Sequence, residues 1–308
     1  MKEHVTVCEV GPRDGLQMAH TIMPTEAKVR WIAAMAAAGV REIEVGSFVP
    51  PKVVPQMADT PEVVAGALLI PGLRVLALVP NLRGAQNAHA AGVHTITIPV
   101  SVSEGHSRSN TNKGTFDQVA VVGQIVKWVR SQERPMRVEA GCATAFGCSI
   151  DGVIPEARVV EVATALAETG VDSVVLADTV GYGNPAQVRA MIRAVAAAIG
   201  PKLEKLHLHD TMGLGLANAL VGLEEGIRSF DSALAGLGGC PFAPGASGNI
   251  VTEDLVFMLE SMGFSTGIDL AKLIDARKLL HENVPGEPMF GQVPRAGIPK
   301  TFRQAVPV

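Results

Sequence analysis

Short apolar runs alternate with longer stretches of helical periodicity along most of this chain. The short runs are rich in β-branched residues and have the length of buried strands, whereas the stretches between them are rich in alanine. Eight strands are predicted, at 5–10, 42–46, 74–79, 95–100, 137–141, 173–178, 205–210 and 229–236. The clearest helices are predicted at 25–39, 155–170 and 185–200. Each of these ends on a glycine, which is the residue that a helix C-terminus favours.

Eightfold alternation of strand and helix predicts an α/β fold of the (β/α)8 or TIM-barrel type. An open, doubly wound sheet is the alternative, but no G-x-G-x-x-G motif follows the first strand, as a dinucleotide-binding sheet requires. No linker-like composition interrupts 1–270, which we take as the catalytic domain. The Pro- and Gly-rich segment 271–308 is expected to form a C-terminal helix and an extended tail packed on the barrel.

Composition narrows the classes of function. The 308 residues are 47% hydrophobic with a formal net charge of -4, which argues against nucleic acid as the main partner. No apolar run reaches the roughly 18 residues of a membrane-spanning helix, so no membrane partner is expected. The N-terminal residues show no secretory pattern, and the four cysteines fit no zinc-ribbon spacing. We therefore expect a cytoplasmic protein with reduced cysteines.

The stretch L-H-L-H-D at 206–210 predicts a metal site. Side chains two residues apart share one face of a strand, so His207 and His209 should face one way and the two leucines the other. Two imidazoles and a carboxylate suit a divalent cation that acts as a Lewis acid. Asp14, which follows the first strand, is the natural third ligand. A hydrogen-bonded pair of core histidines is the alternative.

Other polar side chains also follow predicted strands, at the end of the barrel where such enzymes work. Arg13 is either a surface ion-pair partner or the group that stabilises an oxyanion. Glu44 would be costly to bury alone, so it either pairs with Arg13 or accepts a hydrogen bond from substrate. Asp178 ends the sixth predicted strand, and it is either a member of the site or a structural residue that orients a histidine or a loop amide. Further candidates at this end are Gln17, Ser47 and Thr179.

The loop 236–249 is rich in glycine and predicts a mobile segment over the site. Cys240 lies within it, and a thiol near a metal and an arginine is a candidate proton donor or acceptor. The alternative is a long turn that leads into a final helix.

Four stretches closely resemble the 3-hydroxy-3-methylglutaryl-CoA lyases over roughly residues 4–270. They read GPRDGLQ, SFVPPKVVPQMAD, LHLHDTMGLGLANAL and AGLGGCPFAPGASGNIVTEDLVFML. The resemblance implies that the chain cleaves its acyl-CoA substrate by a retro-Claisen reaction to acetyl-CoA and acetoacetate. It also implies a homodimer and a place in leucine degradation. It further implies that Mg²⁺ or Mn²⁺ is bound by Asp14, His207, His209 and Asn249.

The resemblance also implies roles for individual residues. Arg13 would face the thioester oxygen where enolate charge develops, and Cys240 would take part in proton transfer. His207 would serve catalysis as well as metal binding. Glu44 would orient the substrate. Asp178 is expected among the catalytic residues, and Gln17, Ser47 and Thr179 among those that bind substrate.

Some positions depart from the family's common pattern, and these concern the pocket walls. Met18 and Ala19 replace the usual Asn-Glu, Val53 replaces a tryptophan, and Val175 replaces a serine. Citramalyl-CoA or a 3-alkyl-3-hydroxyglutaryl-CoA is therefore an alternative substrate. Three further functions compete with the lyase: a synthase that joins acetyl-CoA to a 2-oxo acid, a metal-dependent hydrolase and a non-catalytic binding protein.

Overall fold

Eight parallel strands close into one barrel in the computed structural model, which describes residues 2–239 and 248–304. Each strand pairs with the next along the chain, and the last pairs with the first. The predicted barrel is confirmed and the open sheet is wrong. The strands β1 to β8 are Thr6–Glu9, Glu42–Ser47, Arg74–Leu78, Thr95–Ser101, Arg137–Ala143, Ser173–Asp178, Leu203–Leu208 and Ser229–Ser232.

Helices surround the barrel and bury one apolar stripe each. In α7 the buried residues Val188, Met191, Ile192 and Val195 follow helical spacing, which places them on the face toward the strands. The predicted helices end one or two residues earlier than expected, because their final glycines adopt positive φ, as at Gly39 with φ 110°. The helices α1 to α11 are Thr25–Ala37, Thr60–Leu68, Leu82–Ala91, Glu104–Thr111, Thr115–Arg130, Glu156–Glu168, Pro185–Ile199, Gly215–Glu224, Thr252–Ser261, Leu270–Asn283 and Gln292–Ala296.

The strands obey the twofold alternation read from the sequence. Leu206 and Leu208 are buried in the core, whereas His207 and His209 line the cavity inside the barrel. The prediction that both histidines share one face is thus confirmed. Across the described ranges, no helix is both long and apolar enough to cross a bilayer.

The C-terminal segment makes hydrogen bonds and an ion pair with the residues directly after β8 and with α9. Phe290 N–H donates to the carbonyl of Ala235 over 2.8 Å, and Arg277 pairs with the buried Glu253 of α9. The backbone amides of Gln292 and Val293 donate to a carboxylate in the first turn of α9. These contacts support the expected packing of the tail on the barrel, while the division of the chain at residue 270 stays a prediction.

Glu9 joins three segments that carry the site. One of its carboxyl oxygens accepts the N–H groups of Gly11 and Leu234, both over 2.9 Å, and the other lies 2.7 Å from Thr252 Oγ1. Thr252 Oγ1 also lies 2.9 Å from Ser232 Oγ. Thr252 has one hydroxyl proton, which it donates to Glu9 when Glu9 is ionised and can donate to Ser232 when Glu9 is protonated. Burial favours the protonated Glu9, since it raises the pKa of this carboxyl to about 8 from an ordinary 4.5.

We expect Glu9→Gln to reduce the loss of stability at alkaline pH. A carboxyl whose folded-state pKa is raised destabilises the fold progressively as pH climbs from its unfolded to its folded value, here from 4.5 to about 8. The loss is on the order of 4 kcal/mol, and a neutral glutamine avoids it. The free energy of unfolding in urea, measured at about pH 5 and about pH 9, should fall less in the variant. The exposed Glu62 provides a control, because Glu62→Gln should follow the wild type.

Candidate active site

The three predicted metal ligands lie together at the carboxyl end of the barrel. His207 Nε2 and His209 Nε2 are 3.1 Å apart, and Asp14 Oδ2 is 3.5 Å from the second and 4.0 Å from the first. Two ligand atoms bound at right angles about 2.1 Å from one cation stand about 3 Å apart. The two ring nitrogens therefore have the spacing of neighbouring ligands to a single ion, and a hydrogen bond between the rings has the same length. The carboxylate of Asp14 beside both nitrogens completes a three-ligand set, and this favours metal binding over a core histidine pair.

Asn249 lies next to these ligands. Its Nδ2 donates to Asp14 Oδ2 over 2.6 Å and to the carbonyl of Leu237 over 3.2 Å. Within the part of the chain that the structure describes, Asn249 Oδ1 and His209 Nδ1 are buried and have no hydrogen-bond partner. A buried acceptor without a donor is costly, and a bound cation is one of the ordinary ways to satisfy it. Asn249 is thus in contact with one of the three ligands and has an oxygen to offer, and it stays the predicted fourth ligand.

A tight helical turn, Gly11–Gly15, brings Arg13 and Asp14 into the barrel mouth. Asp14 N–H donates to the carbonyl of Val10 over 2.7 Å, which closes the turn directly after β1. A side chain at either of its two glycines would displace a buried neighbour. A Cβ at Gly11 would lie 2.5 Å from Glu9 Oε1, and a Cβ at Gly15 would lie 2.9 Å from a Leu237 methyl carbon.

Arg13 is held between two carboxylates. Its Nε lies 2.5 Å from Glu44 Oε2, and its Nη1 lies 2.5 Å from Asp14 Oδ1. The side chain is only 12% exposed, so the surface ion-pair interpretation is wrong. Burial opposes the charges on both partners, but their attraction outweighs it: the pKa of Arg13 is raised and that of Asp14 is well below its usual range. Both groups are therefore charged at neutral pH.

A cavity of about 350 Å³ opens beside this cluster and carries an excess of negative charge. Among the residues that the structure describes, its charged lining side chains are Arg13, Lys205, Asp14, Glu44, Glu139 and Asp231. Two cations thus face four carboxylates, which leaves a formal charge of two minus. A divalent cation would neutralise this excess, so the charge of the cavity fits the same metal as its donor atoms do.

Some of the remaining predicted residues line the cavity, and others do not. Gln17 and Thr179 line the cavity; Gln17 donates to Asp14 over 3.1 Å, and Thr179 Oγ1 accepts the N–H of Thr144. Asp178 does not line it. Its carboxylate accepts the N–H groups of two residues in the turn after β6, which favours the structural interpretation. Ser47 is buried outside the cavity lining, and Cys240 lies outside the described residues.

Sequence reasoning missed several polar groups inside the barrel. Glu139, Lys205 and Asp231 line the cavity below the histidines, and Thr97 hydrogen-bonds Glu44. The signal was the twofold alternation of each strand: Lys205 stands two residues before His207 and therefore shares its face.

The family model described as HMGL-like matches residues 4–280. This chain belongs to that family. It is 43% identical to the cytoplasmic 3-hydroxy-3-methylglutaryl-CoA lyase of Rattus norvegicus, over 90% of this chain and 80% of the relative. It is 40% identical to the hydroxymethylglutaryl-CoA lyase YngG of Bacillus subtilis, over 92% and 94% of the two chains.

Solved structures of HMG-CoA lyases have the same fold. One from Bacillus subtilis matches with a TM-score of 0.90 at 39% identity, over 96% of this chain and 98% of that one. One from Acinetobacter baumannii, in complex with coenzyme A and 3-methylmalate, also has a TM-score of 0.90 at 39% identity, over 99% and 98%. The predicted resemblance is confirmed, and the HMGL-like chain is a carbon–carbon lyase.

Proposed function

We propose that this chain is a divalent-metal-dependent lyase that cleaves 3-hydroxy-3-methylglutaryl-CoA to acetyl-CoA and acetoacetate. The observation that carries the proposal is the pair of histidine nitrogens 3.1 Å apart beside Asp14, with Arg13 adjoining on the same cavity wall. The names of its relatives support the same substrate, and the neighbour with bound coenzyme A supports an acyl-CoA. A cytoplasmic location and a homodimer belong to this proposal.

The residues that would hold the cation are Asp14, His207, His209 and Asn249. Mg²⁺ or Mn²⁺ in that position supplies Lewis acidity that lowers the cost of removing the proton from the substrate's tertiary hydroxyl. We retain His207 as a catalytic residue as well as a ligand.

The bond between C2 and C3 of the acyl group then breaks. Its electron pair moves onto the acetyl-CoA fragment as an enolate, and the hydroxyl carbon becomes the ketone of acetoacetate. Enolate charge gathers on the thioester oxygen, where a fixed guanidinium stabilises it. Arg13 can meet that oxygen with Nη2, because its two ion pairs use Nε and Nη1. Cys240 is proposed to deliver the proton that converts the enolate to acetyl-CoA.

One feature of the cavity favours a second substrate. Val53 and Val175, two of the departures from the family's common pattern named in the sequence analysis, both line it. Val175 is buried on β6 inside the barrel, so it presents apolar surface to whatever group lies beside it. An alkyl branch longer than methyl on C3 of the acyl group would gain roughly 0.8 kcal/mol for each buried methylene. A 3-alkyl-3-hydroxyglutaryl-CoA is therefore the alternative.

The test is a product analysis with purified protein. We expect acetyl-CoA and acetoacetate to form together from 3-hydroxy-3-methylglutaryl-CoA when Mg²⁺ is added, and neither to form in the presence of a chelator. The 3-ethyl homologue and citramalyl-CoA are tested in parallel. If only one of these two compounds is cleaved, the proposed lyase reaction stands and the proposed substrate is wrong. Free coenzyme A with an intact acyl group would indicate a hydrolase, and condensation of acetyl-CoA with a 2-oxo acid would indicate a synthase.

A further inference from the structure

Three buried charged side chains that line the cavity contact one another in series, and the last of them contacts His207. Lys205 Nζ lies 3.1 Å from Glu139 Oε2 and 3.4 Å from Asp231 Oδ1. The other oxygen of Asp231 lies 3.2 Å from His207 Nδ1. Three strands contribute these groups: β5 carries Glu139, β7 carries Lys205 and His207, and β8 carries Asp231.

The barrel register makes the last contact of this series. His207 and Asp231 are directly paired residues of the neighbouring strands β7 and β8, so their side chains leave the sheet side by side into the barrel. Asp231 therefore reaches the imidazole nitrogen that points away from Asp14 and His209. The other nitrogen, Nε2, is the one that lies 3.1 Å from His209 Nε2.

Stability alone gives a poor account of this network. Taking charges out of water costs several kcal/mol for each ion, and well-packed apolar side chains of similar volume are often as stable. Lys205 and Glu139 are about 5% exposed and Asp231 is 13% exposed, so all three bear that cost. What the charges provide and apolar groups would not is a fixed hydrogen-bond acceptor at His207 Nδ1.

We propose that Asp231 is a positioning residue for the metal site. It accepts a hydrogen bond from Nδ1–H of His207, which selects the tautomer whose Nε2 lone pair faces Asp14 and His209 and fixes the plane of the ring. Lys205 holds the carboxylate of Asp231 in place, and Glu139 holds Lys205. The inference rests on the proposed function, because it assigns Asp231 its role through the proposed cation.

The first test is the affinity for Mn²⁺ alone, measured by electron paramagnetic resonance without substrate. Asp231→Asn should raise the Kd for Mn²⁺ about 10- to 100-fold, as loss of a group that orients a ligand does. The new amide can turn its NH₂ toward Nδ1 and so favour the wrong tautomer. Asp172→Asn is the matched control. Asp172 pairs with Arg130 just before β6, at the opposite end of the barrel, and its variant should bind Mn²⁺ like the wild type.

The second test measures the tautomer directly. Nitrogen-15 chemical shifts of the metal-free wild type, recorded at a pH where the His207 ring is neutral, should show the ring protonated at Nδ1, and Asp231→Asn should shift the proton to Nε2. Wild-type protonation at Nε2, or an Asp231→Asn protein with unchanged Mn²⁺ affinity, would overturn the role of Asp231 and leave the proposed lyase intact. A wild type that binds no Mn²⁺ would overturn both, because the metal site itself would then be wrong.

Discussion

Asp14→Ala should lose bound metal and activity together. Asp14 is the one carboxylate within 4.0 Å of both histidine nitrogens among the described residues, so its removal takes away the only anionic ligand of the proposed site. A cation that stabilises developing charge contributes several kcal/mol, so we expect turnover to fall by about 10³-fold or more. Metal content by mass spectrometry and kcat with excess Mg²⁺ are the two measurements.

Two comparisons make this result decisive. Asp275→Ala removes an exposed carboxylate from α10 and should leave metal content and kcat unchanged. His209→Ala removes a ligand that carries no negative charge, and it should also lose the metal. If Asp14→Ala is less stable but still holds a full equivalent of metal, Asp14 is only the partner of Arg13 and the ligand assignment is wrong.

Arg13→Met should keep the metal and lose turnover by about 10²- to 10³-fold, the usual effect of removing one donor to an oxyanion. Methionine has a similar length but no charge, so the enolate oxygen would lose its cation while the three metal ligands stay in place. The expected signature is a fall in kcat larger than any rise in KM, since the charge develops only in the transition state. Steady-state kinetics and Mn²⁺ titration on the same preparation separate the two effects.

The control for Arg13→Met is Arg130→Met, which removes an arginine paired with Asp172 at the amino end of the barrel. Its kcat should equal that of the wild type. Near-normal turnover in Arg13→Met would exclude Arg13 from the chemistry. Loss of metal in that variant would instead make Arg13 a support for Asp14, with which it shares a contact of 2.5 Å.

Local pattern was sufficient for the fold and for the centre of the site. Alternating residues at 205–210 placed both histidines inside the barrel, because the side-chain period of a strand is two whatever the rest of the chain does. Asp14 was identified because the carboxyl ends of parallel strands all open on one face of a barrel. Its distances of 3.5 and 4.0 Å to the histidines bear out that argument.

The sequence pattern was insufficient where the role of a residue depends on which hydrogen-bond partner its side chain has. Asp178 and Thr179 are adjacent in sequence, yet Thr179 lines the cavity and Asp178 turns to the backbone of its own loop. Ser47 is the last residue of β2 and is buried, but it is not among the residues that line the cavity. Whether such a side chain faces the cavity depends on the exact residue at which the strand ends and the turn begins. The hydrophobic periodicity of the sequence does not locate that boundary to one residue.

By itself the sequence determined the eight-stranded barrel, the shared face of the two histidines and the family, because each depends on local periodicity or on contiguous motifs. Only the tertiary structure decided how the charges pair. The contacts of Arg13 with Glu44, of Lys205 with Glu139 and of Asp231 with His207 join residues that are 24 to 66 positions apart along the chain. Those pairs exist because closing the barrel fixes the register between strands and excludes water from its centre, where a buried charge is stable only beside its partner.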